Sequence, residues 1–507
     1  MCIKCTISEV QEKKVGPIRK LNKEERRFFK TVYHAAFANP FGELREKLDR
    51  TIAGLFPSVS RRESVDQCIN EIDIRVKQLE KEGCGTLEAF KGQDQNLIRV
   101  VFLFDIFHKF RDHFDQLIMD QIAAGDVPVK VSFAGEAMAM LQQRGFPQNC
   151  HDHYFAFSFQ LRRAFFFISN SLVGNSPCMK ELKRKLWNNV FTGSIEWYDK
   201  YLWNRMEDFS TLILGETGTG KGTAAMAVGR SGFIPFDSQR GCFDDSFTGT
   251  FISLNLSQFP ETLLESELFG HKKGAFTGAV EDYPGVFDRC SPHGAILLDE
   301  IGEVANHVQI KLLQVLQDRV FTPVGSHEKS RFQGRVIAAT NRSMDDIAGG
   351  AVLRDDFYYR LSSDVIEMPP LRKRILQDPR ELTALLTFTV ERIMGTPCPE
   401  LVKKVTRMID RELGKDYHWP GNVRELEQCV KQVMLRRSYE KLQKKDTDGV
   451  KHRLIKGLDK GDMTVAELTS GYLKLLYEKH GAYEKVARRA GVDRRTVKKY
   501  IDQQDIS

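Results

Sequence analysis

The stretch STLILGETGTGKGTAAMAV, residues 210–228, passes from an apolar strand through a glycine-rich turn into a helix-forming segment. Its turn, GETGTGKG at 215–222, fits the spacing G-x-x-x-x-G-K. Gly215, Gly218 and Gly220 let backbone N–H groups close around an anion, and Lys221 supplies the countercharge that phosphates need. Glu216, Thr217, Thr219, Gly222 and Thr223 complete the candidate nucleotide-binding set. A chance glycine-rich turn is the alternative, and the strand before and helix after argue against it. One departure stands out: the usual Ser or Thr after the lysine is Gly222, with Thr223 one place later. A magnesium ion would then lean on phosphate oxygens, water and an acidic strand end.

Outward from this loop, FISLNLS (251–257), GAILLDE (294–300) and RVIAATN (335–341) read as further strands. Between the last two, VQIKLLQVLQ (308–317) carries Val308, Leu312, Val315 and Leu316 on one helical face. Strands alternating with helices predict an α/β fold, a parallel sheet covered on both sides. GAILLDE ends in Asp299 and Glu300. Beside a phosphate loop, Asp299 would hold magnesium and Glu300 would polarise the attacking water; capping a following helix is the other use of such a pair. Past PPLRKR (369–374) the pattern turns helical, with HWPGNVRELEQCVKQV (418–433) running from a Pro-Gly turn into an amphipathic helix. An α/β ATPase subdomain is expected over 172–369 and a helical lid over 370–437.

Fifty residues beyond the phosphate loop, ESELFGHKKGAFTGA occupies 265–279. Phe276 stands alone among the small residues Gly274, Ala275, Thr277, Gly278 and Ala279. It has little local sequence in which to bury itself, so solvent or a partner must receive it.

The chain has 507 residues, 41% hydrophobic and 28% charged, enough for two to four domains. No apolar run reaches eighteen residues and no leader precedes the first domain, so a cytoplasmic protein without a membrane partner is expected. Ten cysteines are scattered without the spacing of a disulfide framework. Cys2 and Cys5 form a CxxC, and Cys150, His151 and His153 cluster in NCHDH. A metal or redox site is one reading of these, a frayed terminus and a polar loop the other.

Residues 1–171 match no motif and are expected to form a mostly helical regulatory domain. In FHKFRDHFDQLIMDQIAAG (107–125), Phe107, Phe110, Phe114, Leu117 and Ile118 recur at helical spacing, predicting one helix packed on a core. His108 and His113 lie off that stripe and read as solvated. Asp105 follows the apolar run VVFLF, but no earlier strand ends in the acidic pair that a phosphoacceptor receiver requires.

The net charge is +7, yet residues 431–507 alone carry 19 Lys and Arg against 11 Asp and Glu, so the basic excess sits in the tail. Such a tail suits double-stranded DNA. Residues 438–462 are charged and poor in large apolar residues, a linker composition. Over 464–503, TVAELTSGYLKLLYEKHGAYEKVARRAGVDRRTVKKYIDQ spells three helices with a tight turn at Gly491. Val486, Ala490, Val497 and Ile501 can face inward, leaving Arg494, Arg495, Thr496, Lys498 and Lys499 as candidate DNA contacts, with Asp493 capping their helix. This is a helix-turn-helix pattern over 463–507; a three-helix bundle with a solvated basic face is the plainer alternative.

Taken in order, GETGTGKG, ESELFGHKKGAFTGA, AILLDEIGE, VIAATN, LRDDFYYRL, PPLRKR and WPGNVREL resemble the AAA+ domain of sigma-54-dependent transcriptional activators, the bacterial enhancer-binding proteins. The resemblance covers about half the chain and begins near VGNSPCMKEL (173–182); the terminal helices resemble a Fis-type helix-turn-helix. It implies that Lys221 binds ATP phosphates, Asp299 the magnesium, and Glu300 acts as general base. Asn255 would hold that glutamate inactive until the target engages, and Asn341 would sense the γ-phosphate. Arg354 and Arg360 would be fingers reaching across a subunit boundary, where unaided reading sees surface salt bridges. Arg424 would be the second sensor. An arginine acting in trans makes hydrolysis depend on assembly, and the family forms hexameric rings. The partners implied are sigma-54 RNA polymerase holoenzyme, touched by 274–279, upstream enhancer DNA, and further copies of the chain. Gly222 leaves room for a DNA-binding regulator that binds nucleotide without productive turnover and works through another sigma factor. A remodelling ATPase without DNA is a further rival, disfavoured by the basic tail. The stretch between Gly229 and Phe251 is longer than the family's usual connection, and no role for it follows from its sequence.

Overall fold

A computed structural model of the chain describes residues 18–502, apart from 57–58, 349–351, 415–416, 437–453, 455–457, 459–460 and 462. Cys2, Cys5 and nearly all of the expected linker lie outside the described residues.

Nine strands form among them: β1 (Thr211–Leu214), β2 (Phe236–Asp237), β3 (Cys242–Phe243), β4 (Phe251–Asn255), β5 (Ala295–Asp299), β6 (Val320–Phe321), β7 (Ser330–Arg331), β8 (Arg335–Thr340) and β9 (Asp364–Glu367). Five of these make one sheet in the order β4-β5-β8-β1-β9, with every pairing parallel. All four residues of β1 and all six of β8 are buried, as strands covered on both faces must be. Register sets Leu214 beside Thr340 and Asn255 beside Asp299. The carboxyl ends of the strands therefore align, and the loops leaving them gather at one edge, where open α/β sheets bind ligands. β9 was not foreseen. Of its sequence DVIE only Ile366 is buried, so an edge strand of this length leaves little apolar signature.

Before the sheet come eight longer helices: α1 (Lys23–Phe37), α2 (Glu43–Ala53), α3 (Arg61–Lys81), α4 (Gly92–Lys109), α5 (Arg111–Ala124), α6 (Ala134–Gln143), α7 (His151–Ser171) and α8 (Pro177–Val190). No strand lies within the described residues before β1, which is the helical character expected. The single helix predicted over 107–125 is instead two, broken at Phe110, where φ is −97° and ψ is 8°. The break lets the buried Phe110 stack on Phe133, ring centroids 5.7 Å apart, while Phe114, Leu117 and Ile118 stay in the core. His113 is exposed as expected, but His108 is half-buried and its Nδ1 is enclosed without a hydrogen-bond partner.

The boundary expected near residue 171 is not a gap in packing. Met1–Arg437 is one compact unit and Ser438–Ser507 a second, and a single hydrophobic core runs from Leu21 through α7 to Ile337 and Met368. α7 lies against the helix Lys221–Gly229 that follows the glycine-rich loop. The long connection after that helix folds into the β2–β3 hairpin, whose aromatic residues seat on α7: Phe236 against Phe155 and Phe243 against Phe159, both at 4.6 Å, and Phe247 against Phe167 at 5.5 Å. Val131 N–H donates to Gly241 O at 2.9 Å and Ser246 Oγ to Gly125 O at 2.7 Å. Arg163, wholly buried, donates to Arg230 O and Gly232 O at 3.0 and 2.6 Å. The stretch that carried no sequence signal is thus a clamp joining the N-terminal helices to the sheet.

Four helices, Leu371–Gln377, Arg380–Met394, Pro399–Glu412 and Asn422–Arg436, follow β9. They are tied back to the start of α8 by a buried pair, Arg374 and Glu381 at 2.7 Å. Glu381 also accepts from the N–H groups of Asn175 and Ser176, both at 2.6 Å.

In the second unit, Val465–His480, Tyr483–Ala490 and Arg494–Asp502 enclose a small core of Leu473, Leu476, Val486 and Val497. Gly491, at φ 67°, makes the turn between the last two helices, and Asp493 Oδ1 accepts from Arg495 N–H at 2.8 Å. Arg494, Arg495, Lys498 and Lys499 are exposed, with Thr496 half-buried.

Candidate functional site

The glycine-rich loop leaves β1 and curls beneath the lid. Gly218 has φ 81° and Gly220 φ 94°, values open to glycine and strained for other residues. Gly218 is also crowded: a Cβ there would lie 2.3 Å from Gly421 O. Val423 N–H donates to Gly218 O at 3.0 Å, so the WPGNVREL segment rests directly on the loop. Lys221 begins the following helix and donates to Gly215 O at 2.9 Å. Burial lowers its pKa, and the carboxylates of Glu300 and Asp299 oppose that shift. Thr219 Oγ1 donates to Glu216 O at 2.8 Å; Gly222 is exposed and Thr223 half-buried.

Asp299 closes β5. Glu300 follows in a left-handed conformation, φ 57° and ψ 44°, and its N–H donates to Asp299 Oδ1 at 3.0 Å. Non-glycine residues rarely hold such angles, and they cluster at functional sites. Glu300 Oε2 is buried with no hydrogen-bond partner. An enclosed, unsatisfied carboxylate oxygen costs about 1–3 kcal/mol or more, which a water or cation in the site would relieve. The donor set therefore fits a magnesium nucleotide: backbone N–H groups and Lys221 for phosphates, Asp299 for the ion, and Glu300 for a water.

Asn255 ends β4 beside Asp299, but its Oδ1 accepts from Ser257 N–H and Oγ at 3.0 and 2.8 Å, and no hydrogen bond joins it to Glu300. Asn341, just past β8, is exposed at the same edge. Arg424 is exposed near the start of the Asn422–Arg436 helix, close enough to depress the Lys221 pKa slightly. Arg354 and Arg360 are both exposed and neither hydrogen-bonds to residues 215–222. Arg354 pairs with Asp356 at 2.9 Å, whereas the Arg360 side chain forms no ion pair among the described residues.

Two residues at the loop had no role in the sequence reading. Arg372 Nη1 donates to Glu216 at 2.8 Å, and this contact holds the Glu216 carboxyl below its ordinary pKa. Asn422 is fully buried at φ 53°; its amide reaches Glu216 and Thr217 O, both at 3.1 Å, and accepts from Leu371 N–H at 2.8 Å. Glu216 is thereby a latch to the lid as well as part of the loop. The signal was the Pro-Gly-Asn turn itself, since Asn tolerates positive φ better than most residues.

The 274–279 turn lies elsewhere on the same body. Gly274 N–H donates to Ala279 O at 2.9 Å and Ala279 N–H to Phe276 O at 3.0 Å, which close it into a tight loop. Thr277 is exposed. Phe276 is 37% exposed, open to solvent or a partner as its small neighbours implied, and rests edge-on against His271, centroids 4.9 Å apart. Ser266 Oγ fixes that imidazole at 2.6 Å. The connection between β6 and β7 props the loop, with Lys272 N–H donating to Val324 O at 3.0 Å.

Residues 197–367 match the family described as Sigma-54 interaction domain. This part of the chain is a sigma-54 interaction domain. The Nif-specific regulatory protein of Azotobacter vinelandii is 38% identical over 261 residues, 52% of this chain and 43% of that protein. The regulatory protein AtoC of Escherichia coli K12 is 38% identical over 229 residues, 45% of this chain and 46% of that protein. The chain thus spans about half the length of the curated relatives it matches. Among solved structures, NtrX from Brucella abortus is 18% identical, covering 72% of this chain and 79% of that one, with a TM-score of 0.39. The resemblance drawn from GAFTGA and its companion motifs to sigma-54-dependent activators holds for the sigma-54 interaction domain.

The NCHDH residues are otherwise engaged. His151 Nε2 meets Phe146 O at 2.8 Å and His153 Nε2 meets Asp199 at 2.6 Å. Among the described residues no group of three His, Cys, Asp or Glu side chains is placed to hold a metal, and no helix is long and apolar enough to cross a membrane.

Proposed function

We propose that the chain is a transcriptional activator that couples ATP hydrolysis to remodelling of sigma-54 RNA polymerase at promoters it reaches by binding upstream DNA. The observation that carries this reading is a division of labour within one compact unit. Lys221 follows β1, and Asp299 ends β5 with Glu300 just after it, the two strands flanking β8 at one edge of the sheet, while Phe276 and Thr277 stand on a propped, solvent-facing loop.

In this reading the loop 215–222 and Lys221 hold the phosphates, and Asp299 holds magnesium, whose charge would stabilise the phosphoryl group in flight. Glu300 orients and deprotonates the attacking water. Arg354 and Arg360, exposed and away from their own phosphate loop, serve a neighbouring copy, which makes the working form a closed ring. Asn341 and Arg424 report the state of the nucleotide to the lid. Asn255 regulates Glu300; with Asn255 bonded to Ser257, that contact belongs to another state of the cycle. Residues 1–171 control the motor, and 463–507 dock Arg494, Arg495, Thr496, Lys498 and Lys499 on DNA in the major groove.

The test is co-migration of sigma-54 with the purified full chain, with and without an ADP–metal-fluoride mimic, beside Thr277→Ala. Capture that needs the mimic and is lost in the variant supports the reading. Hydrolysis without capture means the ring acts on another protein. Nucleotide binding without hydrolysis selects the second reading, a non-hydrolysing regulator, which the Gly222 departure favours.

A further inference from the structure

The N-terminal helices line a half-open cavity of about 720 Å³. That volume falls within the roughly 300–1,000 Å³ range of sites that hold small organic ligands. Its walls come from α1 to α5 and α7, and its far side is closed by Trp187 of α8 and by Ile195, residues of the ATPase half. Phe104, Phe107, Phe157, Phe165 and Leu161 give it an apolar, largely aromatic interior.

The charges on its lining are unevenly spent. Each lining carboxylate has a partner: Asp49 meets Arg45 at 2.7 Å, Asp115 meets Arg162 at 2.5 Å, and Asp199 meets the His153 imidazole at 2.6 Å. Asp66 and Asp112 share Arg111, at 3.7 and 3.1 Å. Three lining arginines meet no carboxylate among the described residues. Arg61 donates only to Pro40 O, while Arg62 and Arg99 form no ion pair. The uncommitted charge at the cavity is therefore positive.

A second observation is independent of charge. His108 lines the cavity between the rings of Phe104 and Phe107, centroids 4.3 and 4.9 Å away, and its Nδ1 is buried with no hydrogen-bond partner. Burial, helped by the charges of Arg45, Arg111 and Arg162, holds the ring neutral, its pKa well below the ordinary value. A neutral polar atom enclosed in an aromatic wall asks for a hydrogen-bond partner.

We propose that this cavity binds a small amphipathic organic anion, its apolar body among the phenylalanines and its charged group toward Arg61, Arg62 and Arg99. The ligand touches α8 as well as the N-terminal helices, so it is the signal through which residues 1–171 address the motor. The binding itself does not depend on the proposed function.

The test uses the full chain and 8-anilinonaphthalene-1-sulfonate as a fluorescent anionic probe, displaced by octanoate or by uncharged octanol. Saturable binding at one site per chain is expected, with octanoate displacing the probe at tenfold or more lower concentration than octanol. Arg62 and Arg99 are exposed, so the double variant Arg62→Glu, Arg99→Glu leaves the fold intact; it should erase the preference for octanoate and leave octanol unchanged. Leu161→Trp, which fills the cavity, should abolish displacement by both. Probe binding that ignores both variants lies elsewhere on the surface and overturns the proposal, as does absence of saturable binding. Equal loss of octanoate and octanol in the double arginine variant overturns the anionic part. Because no step reads ATP hydrolysis, an inactive motor with an intact binding response would refute the proposed function and leave the cavity's assignment standing.

Discussion

Gly218→Ala should cripple nucleotide binding while leaving the fold in place. An added Cβ would lie 2.3 Å from Gly421 O and 2.9 Å from Arg424 Cβ. Carbon and carbonyl oxygen settle no closer than about 3.3 Å, so loop and lid must part by about an ångström. Neither can yield freely, because Asn422, itself fixed within the lid by Leu371 N–H, pins the lid to the loop through Glu216 and Thr217 O. Holding alanine at φ 81° costs about 1–2 kcal/mol. Losing the Val423-to-Gly218 hydrogen bond costs about 1 kcal/mol, and the forced separation about 1–3 kcal/mol. Against these stands a gain of at most about 1 kcal/mol from a stiffer unfolded chain. The strain wins. With tenfold per 1.4 kcal/mol, affinity for a fluorescent ATP analogue should fall about a hundredfold or more. Gly222→Ala is the control: nothing lies within 4 Å of its Cβ and its φ is ordinary, so stability should hold or rise by up to about 1 kcal/mol. A Gly218→Ala variant that melts normally and binds within threefold of the parent would refute the account of the loop–lid contact.

Three further outcomes follow from described contacts. Gly222→Ser, with open space at its Cβ, should fold normally and lower the magnesium needed for half-maximal ATP hydrolysis; an unchanged magnesium titration counts against the hydroxyl's role at that position. Glu381→Gln leaves Arg374 buried beside a neutral partner and should cost about 3–5 kcal/mol in denaturant unfolding. Burial alone would raise the Glu381 pKa, but Ser176 N–H and the Arg374 guanidinium hold it below the ordinary carboxyl range. Its stabilisation is thus present above the unfolded value near about 4.3 and is lost as pH falls through the lower folded value, so the variant should show a flatter acid limb. Lys499→Ala should reduce the salt dependence of DNA binding by about one phosphate contact, read from affinity against salt concentration; an unchanged slope places this lysine off the DNA.

Four of the five main strands were legible because each is apolar in sequence and ends at glycine or a polar residue: β1, β5 and β8 as buried runs, and β4 through Phe251, Ile252 and Leu254. β9 was not, since Val365 and Ile366 between two acidic residues are too short an apolar run to mark a strand. The glycine-rich loop and the acidic pair were legible as spacing. The Glu216–Arg372–Asn422 latch was hidden because residues about 156 and 206 positions apart meet only after the lid folds over. The break at Phe110 was hidden because α4 and α5 share one apolar register across it, and only packing on Phe133 distinguishes two helices from one. His108 lay off the core stripe and read as solvated; the cavity that encloses it is made by elements distant in sequence.

The seat of the β2–β3 hairpin on α7 sets how this protein can be taken apart. Cutting before residue 172 would strip the cover from Phe236, Phe243 and Phe247, each an aromatic surface of about 150–250 Å². The bared wall would rival or exceed the largest apolar patch of an ordinary monomer, about 300–600 Å². A truncated chain would glue to its own copies through that wall, and any change in the behaviour of the remainder would report stickiness rather than the loss of a regulator. The N-terminal helices and the sheet are in this sense a single inheritable part: a graft that exchanges the first 171 residues must bring a matching hairpin with it.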